Sequence, residues 1–334
     1  MKISASIYSD KRRPLAEVLD DLVEHQVDMF HVDCNDDLNV FDDIKYIKSV
    51  SNIPVDLHII TETPEKYYDL LRETPVEYVT FQFEDLRSEI NIPSDITGKK
   101  GLAIITPTDV NVFDDYSDFD FILIMATIPG QSGGKFDPVN FAKIRSFRRK
   151  YPKKSVHVDG GVNGEVSFIL RNMGVTSSVS GSYLFNAHSV GNALMNLTNR
   201  EVESHFQVKD FMIPLDQSPI VNVDGIDVKV VLESIEKGRL GFTMVVDSHG
   251  SFKGIISNAD VRKALLKNLD DLNAVNAEDF INKDPLSIQE DAAVYDMLKL
   301  IKMSDFPVMY LPVLKKGGFA TGIVTFVNLV KGEL

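Results

Sequence analysis

Cysteine occurs once in this chain, at Cys34, so no internal disulfide can form and a reducing compartment is expected. No apolar run approaches the roughly 20 residues that cross a bilayer. The opening stretch MKISASIYSDKRR lacks a long apolar core, which argues against a secretory signal. A cytoplasmic protein with no membrane partner is the expectation. Basic residues are in deficit: 35 lysines and arginines face 49 aspartates and glutamates, a formal net charge of −14. That balance repels a phosphate backbone and argues against general nucleic-acid binding. The one basic cluster, Arg148, Arg149 and Lys150 with Lys153 and Lys154, lies beside Pro152. It reads as the solvated end of a helix, where cations suit the dipole.

What is present is ordinary globular material, 44% hydrophobic and 25% charged over 334 residues. The length favours two domains. Up to about residue 200, short apolar β-branched runs alternate with amphipathic stretches. Strands are expected at 3–7, 29–33, 54–60, 77–83, 101–105, 119–125, 155–159 and 175–179. Helical periodicity appears between most of them, for example at 15–24, 67–72, 136–150, 165–173 and 189–197. Eight β-then-α units of this size predict a (β/α)8 barrel over residues 1–202. A doubly wound open sheet shares the same alternation. After about residue 205 the texture changes to an internal repeat. FKGIISNADVRKAL (252–265) recurs as ATGIVTFVNLVKG (320–332), with Gly254 and Gly322 in equivalent places. Each copy follows a strand-like run and, further upstream, a helix at 230–237 or 294–303. A smaller α+β module of two repeats is expected over 207–334.

In a barrel, reactive residues sit at the C-terminal ends of the strands. Ser6 ends the first expected strand, His31 and Asp33 the second, His58 the third and Asp159 the seventh. His31 and Asp33 are spaced i and i+2, which puts both on one face of a strand. Each residue alone also fits a core histidine satisfied by hydrogen bonds, or a carboxylate capping a strand end. Together they make a site for zinc, iron(II), manganese or cobalt, which accept mixed nitrogen and oxygen ligands. Glycine-rich loops follow the last three barrel strands: MATIPGQSGGKF (125–136), DGGVNGE (159–165) and SGSYLF (180–185). Such loops can cradle an anion on backbone N–H groups, and barrel phosphate sites are commonly built after strands seven and eight. A metal with two carboxylates suits a hydroxyketone. One aspartate would remove the proton between carbonyl and hydroxyl, and the other would return one from the opposite face. Asp33 and Asp159 are the candidates.

These residues carry a resemblance. Residues 1 to about 200 resemble ribulose-phosphate 3-epimerase, in order along the barrel: SASIYSD, HVDCNDD, VDLHIITETP, MATIPGQSGGKF, VHVDGGVN and SGSYLF. The resemblance implies His31, Asp33, His58 and Asp159 as metal ligands, and Asp33 and Asp159 as the acid/base pair. It implies Ser6, His58 and Met125 at the sugar, and Gly130, Gly133, Gly134, Gly160, Gly161, Gly181 and Ser182 around the phosphate. The implied reaction interconverts D-ribulose 5-phosphate and D-xylulose 5-phosphate. Departures lie in the sugar pocket. Asn35 and Ile60 stand where the family has methionine, Asp37 where it has glycine, and Gln131 where it has phenylalanine. They leave open another ketose phosphate as substrate, or a sugar-phosphate sensor without turnover. The related decarboxylase and aldolase barrels need an Asp-x-Lys pair. Asn35 follows Asp33 at that spacing, which disfavours them.

The second module resembles a tandem pair of cystathionine β-synthase (CBS) domains over residues 207–334. GIISNADV matches the motif in which Ser257 and Asp260 would hold a ribose and its phosphate. In the second copy Thr325 keeps the hydroxyl, and Asn328 replaces the aspartate. A carboxylate accepts ribose hydroxyl protons more strongly than an amide oxygen. The resemblance therefore implies AMP, ADP or ATP as an effector, bound more tightly at Asp260, with a purely structural module as the other reading. It also implies a homo-oligomer, because both families associate.

Overall fold

The computed structural model describes every residue except 128–132, 200–203, 272–274 and 329–334. Gly130 and Gln131 therefore lie outside the described residues. The chain divides into two compact units. One is Met1–Val202 with the chain's end from Asn328, and the other is Glu203–Val327. Among the described residues, no helix is long and apolar enough to cross a membrane.

The first unit is a closed barrel of eight parallel strands: β1 (Lys2–Ser6), β2 (Met29–Asn35), β3 (Val55–Ile60), β4 (Tyr78–Gln82), β5 (Lys99–Ile105), β6 (Phe121–Met125), β7 (Ser155–Asp159) and β8 (Ser177–Ser180). Pairing of β8 back onto β1 closes it and excludes the open sheet. Parallel strands are buried on both faces, so runs such as FILIM in β6 are apolar throughout. Helices α1 (Leu15–Glu24), α2 (Val40–Val50), α3 (Tyr68–Glu73), α4 (Val139–Lys150), α5 (Gly164–Asn172), α6 (Ser182–Phe185) and α7 (Val190–Thr198) fill most connections. In α1, Val18, Leu19 and Leu22 form the buried stripe that a 3.6-residue period dictates.

Two connections break the β-then-α alternation. Between β4 and β5 the described helical piece is a 3-10 turn, Phe83–Asp85, and the segment beyond it carries Pro93 and Gly98. Between β5 and β6 a 3-10 helix spans Val110–Tyr116. Its buried residues Val110, Phe113 and Tyr116 recur every third position, the period at which 3-10 side chains eclipse. At the basic end of α4, Arg149, Lys150 and Lys153 are exposed, as a solvated helix end requires. Arg148 is half-buried and donates to the Gly174 carbonyl, and burial lowers its pKa.

The barrel interior is divided. Ala103, Phe121, Leu123 and Met125, with Tyr78 and Ile105, form an apolar cluster on β4, β5 and β6. The other side is polar. Ser4, His31, Asp56, His58, Thr80, Gln82 and His157 are all buried. Burying a polar group costs about 1–3 kcal/mol unless it is hydrogen-bonded, and here Asp56 Oδ1, His58 Nδ1 and Thr80 Oγ1 are buried without a partner.

The second unit begins with α8 (Val208–Phe211) and β9 (Ile213–Pro214), followed by two equivalent repeats. The first contains β10 (Ile220–Asn222), α9 (Val228–Gly238), β11 (Phe242–Val246), β12 (Phe252–Ser257) and α10 (Asn258–Lys267). The second contains β13 (Ile288–Gln289), α11 (Val294–Lys302), β14 (Tyr310–Lys315) and β15 (Phe319–Thr325). Each pairs its first two strands parallel and its last two antiparallel. The register slips at the same place in both copies, between Val245 and Val246 and between Val313 and Leu314. Gly254 pairs Val245 and Gly322 pairs Val313. The repeat read from sequence is thus a repeat in backbone register. The two sheets share a core of Phe242, Met244, Ile255 and Ile323, with Tyr310 stacked 3.7 Å from Phe242.

Candidate metal centre at the barrel mouth

Strand register builds this centre. Ser6 pairs His31, His31 pairs Asp56 and Asp33 pairs His58 across β1, β2 and β3. Met125 pairs Asp159 across β6 and β7. Because side chains alternate, His31 and Asp33 share the inner face with Asp56 and His58. One nitrogen or oxygen from each of His31, Asp33, His58 and Asp159 lies within 4.8 Å of the others, a group able to hold a metal ion. His31 Nε2 is 3.3 Å from Asp33 Oδ1 and 3.8 Å from Asp159 Oδ2, and His58 Nδ1 is 3.5 Å from Asp33 Oδ1.

The outer nitrogens of both imidazoles are engaged. His31 Nδ1 lies 3.0 Å from Asp56 Oδ2, which also accepts from the Ser4 hydroxyl at 3.0 Å. His58 Nε2 lies 3.0 Å from Gln82 Oε1. The inner His58 Nδ1 is buried without a hydrogen-bond partner. An orphaned buried imidazole nitrogen facing two carboxylates is the donor set a divalent zinc-like ion takes, so the residues fit the metal.

The electrostatics follow from burial and proximity. Burial alone would depress His31, but Asp33 and Asp56 outweigh it and hold its pKa well above the usual value. Burial likewise opposes the Asp33 charge, yet His31 outweighs it and holds that carboxyl well below its usual range. Asp159 goes the other way. Burial pushes it up to about 6, with His31 restraining the rise and Asp33 adding to it. Deeper in the barrel, burial pushes His157 down to about 4, stacked 4.1 Å from Phe121.

The remaining site residues expected from sequence lie around this centre or apart from it. Ser6 is buried at the end of β1 and accepts from Ser9 Oγ at 3.0 Å. Met125 is buried at the end of β6. Gly133 (φ +92°), Gly160 (φ +107°) and Gly161 (φ +67°) adopt left-handed backbone. A Cβ on Gly161 would stand 2.1 Å from Phe136 N, one on Gly160 2.3 Å from Thr127 Oγ1 and one on Gly134 2.5 Å from Thr127 Cγ2. Gly161 thus packs against the backbone at Lys135 and Phe136, and Gly134 and Gly160 against Thr127, at a closeness only glycine permits. Gly181 and Ser182 begin the turn after β8, where a Gly181 Cβ would meet Ser9 Oγ at 2.1 Å.

In the second unit, Ser257 and Asp260 bond each other. Ser257 Oγ accepts from Asp260 N at 3.2 Å and Asp260 Oδ2 accepts from Ser257 N at 2.9 Å, the capping box of α10, with the Ser257 hydroxyl also donating to Asp260 Oδ2 at 2.6 Å. Thr325 ends β15. Asn328 groups with the barrel unit, its amide donating to the Asn172 carbonyl at 3.0 Å.

Asp56 and Gln82 were not singled out from sequence, although each carried a signal. Asp56 stands two residues before His58 in VDLHII, hence on the same inner face, and Gln82 ends β4 as His58 nears the end of β3.

A family model described as Ribulose-phosphate 3 epimerase family matches residues 2–185. The ribulose-phosphate 3-epimerase of Methanocaldococcus jannaschii is 30% identical over 226 residues, covering 64% of this chain and 95% of that protein. That of Bacillus subtilis is 25% identical over 200 residues, covering 55% and 92%. Among solved structures, CBSX2 in complex with AMP matches the C-terminal part with 24% identity and a TM-score of 0.33, covering 38% of this chain and 96% of that one.

Proposed function

The chain belongs to the ribulose-phosphate 3-epimerase family, and from that premise we propose that its barrel inverts carbon 3 of a ketopentose 5-phosphate, interconverting D-ribulose 5-phosphate and D-xylulose 5-phosphate. The observation that carries this reading is the group His31, Asp33, His58 and Asp159, brought together at the strand ends. His31, Asp33, His58 and Asp159 would hold a divalent ion there, which would supply Lewis acidity toward the substrate's carbonyl and so acidify the proton at carbon 3. Asp33 on β2 and Asp159 on β7 do the proton work. One carboxylate takes the proton from carbon 3. The other delivers a proton to the opposite face of that carbon, and the configuration inverts. The reverse reaction exchanges their roles. Ser6 and Met125 border the sugar. Gly133, Gly134, Gly160, Gly161, Gly181 and Ser182 supply a close-approach backbone for the phosphate. Asn35 and Ile60 tune the sugar pocket. The test is turnover of D-ribulose 5-phosphate beside a panel of other ketose phosphates. Production of D-xylulose 5-phosphate supports the reading. A preference for another ketose phosphate would move the substrate, and turnover of none would leave a sensor.

Gly161 gives a sharper check on the phosphate cradle. Gly161→Ala adds a Cβ against Phe136 N at a left-handed position and should part the loops after β6 and β7. KM for the sugar phosphate is expected to rise about tenfold, a loss of ~1.4 kcal/mol, with kcat little changed.

We also propose that residues 207–334, which include most of the second unit, are a CBS pair taking an adenine nucleotide as effector. Support comes from the motif residues Ser257 and Asp260 and from the matched register of the two repeats. The capping box uses Asp260 Oδ2, while Oδ1 lies 3.9 Å from the exposed Lys263 ammonium, a loose pair that a ribose hydroxyl would replace. Asn328, engaged with Asn172, offers less. Calorimetry with AMP, ADP and ATP should show one dominant site that Asp260→Ala removes. Absence of heat with all three would overturn it.

A further inference from the structure

Resting on the metal-binding reading above, we propose that Gln82, held by Glu84, is a positioning residue that fixes His58 as the Nε2–H tautomer and presents its bare Nδ1 to the metal centre. The argument turns on which end of the Gln82 amide faces His58. Its nitrogen donates to the Glu84 carboxylate and lies 3.4 Å from the Ala103 carbonyl. Both partners can only accept, so the nitrogen end is committed there. The oxygen end is left 3.0 Å from His58 Nε2, which must therefore be the donor. A neutral imidazole carries one ring proton, so His58 Nδ1 keeps its lone pair. That nitrogen is the buried atom without a hydrogen-bond partner, on the side of Asp33.

Glu84 is anchored in turn. Its Oε1 accepts from Ile105 N at 3.0 Å and from the Thr108 hydroxyl. The end of β5 thus holds Glu84, Glu84 holds the Gln82 amide, and Gln82 sets the His58 ring. Metal-ligating histidines generally depend on such an outer partner for tautomer and orientation. The two histidines here are served unequally. His31 faces the carboxylate of Asp56, a stronger acceptor than the neutral amide facing His58. His31 is the more strongly donating ligand, and His58 is placed chiefly by geometry.

The first test needs no variant and no metal. Long-range proton–nitrogen correlation on the nitrogen-15-labelled, metal-free full chain should show His58 as the Nε2–H tautomer. The Nδ1–H tautomer would overturn the proposal. The second test is zinc affinity, by competition with a chromophoric chelator. Gln82→Leu is expected to lose about tenfold or more, within the range of outer-partner substitutions. A purely structural role predicts otherwise: wild-type zinc affinity in a folded Gln82→Leu chain overturns the proposal. If Gln82→Leu does not fold, the wild-type tautomer decides. A wild-type chain that takes up no zinc would instead refute the metal reading and leave the tautomer result standing on its own.

Discussion

Asp159→Asn is expected to lower epimerase turnover by about 10³-fold, within the span that positioned acid–base groups contribute. Asparagine keeps the volume and one oxygen for coordination, but it cannot accept or return a proton. His31, Asp33 and His58 remain to hold a metal ion, so metal content should stay close to wild type when zinc is supplied in excess. The barrel should also keep its thermal midpoint, because neither Asp159 oxygen is used in a strand or helix cap. The loss should be in kcat. Deuterium uptake should survive for the epimer whose carbon 3 proton faces Asp33 and vanish for the other. Turnover within tenfold of wild type, in metal-replete Asp159→Asn, would remove Asp159 from the proton relay.

Removal of the divalent ion is expected to have the second largest effect. Dialysis against a strong chelator should reduce turnover to background, and zinc, iron(II), manganese or cobalt should restore it to different extents. The physical reason lies in the ligand group. Four donor atoms lie within 4.8 Å of one another, two of them carboxylate oxygens. Without a cation, that cluster leaves His58 Nδ1 unpartnered and two carboxylates close together in a buried setting, an arrangement that costs free energy. The chain should therefore also melt at a higher temperature with metal than without, since an ion that binds only the folded state stabilises it. Full turnover after exhaustive chelation, with metal shown to be absent, would contradict the assignment.

Much of this was legible in the sequence because strands obey a period of two. His31 and Asp33 could be placed on one face from their spacing alone, and the register of β2 on β3 then sets them against Asp56 and His58. The repeat in the second unit was legible for a similar reason: Gly254 and Gly322 mark the same register slip. What escaped was the supporting layer. Asp56 and Gln82 look like ordinary polar residues in strand runs. Their roles depend on the register of β2 on β3 and of β3 on β4, which sets Asp56 beside His31 and Gln82 beside His58. The β4–β5 and β5–β6 connections escaped for another reason. The period of three in Val110, Phe113 and Tyr116 is too short to separate from an α-helical stripe by eye. Ser257 and Asp260 stood out in the sequence as a nucleotide motif, and the structure shows the same pair capping α10. Asn328 turned out to serve Asn172, a contact no local pattern announces.

The central claim is that two aspartates move protons at carbon 3 of a pentulose phosphate. The most direct measurement is deuterium incorporation by NMR, with metal-loaded protein and D-ribulose 5-phosphate in deuterated water. The account predicts deuterium at carbon 3 together with D-xylulose 5-phosphate, and no label at other carbons. Epimer formed without deuterium at carbon 3, or no exchange with any ketopentose 5-phosphate under any of the four metals, would contradict it.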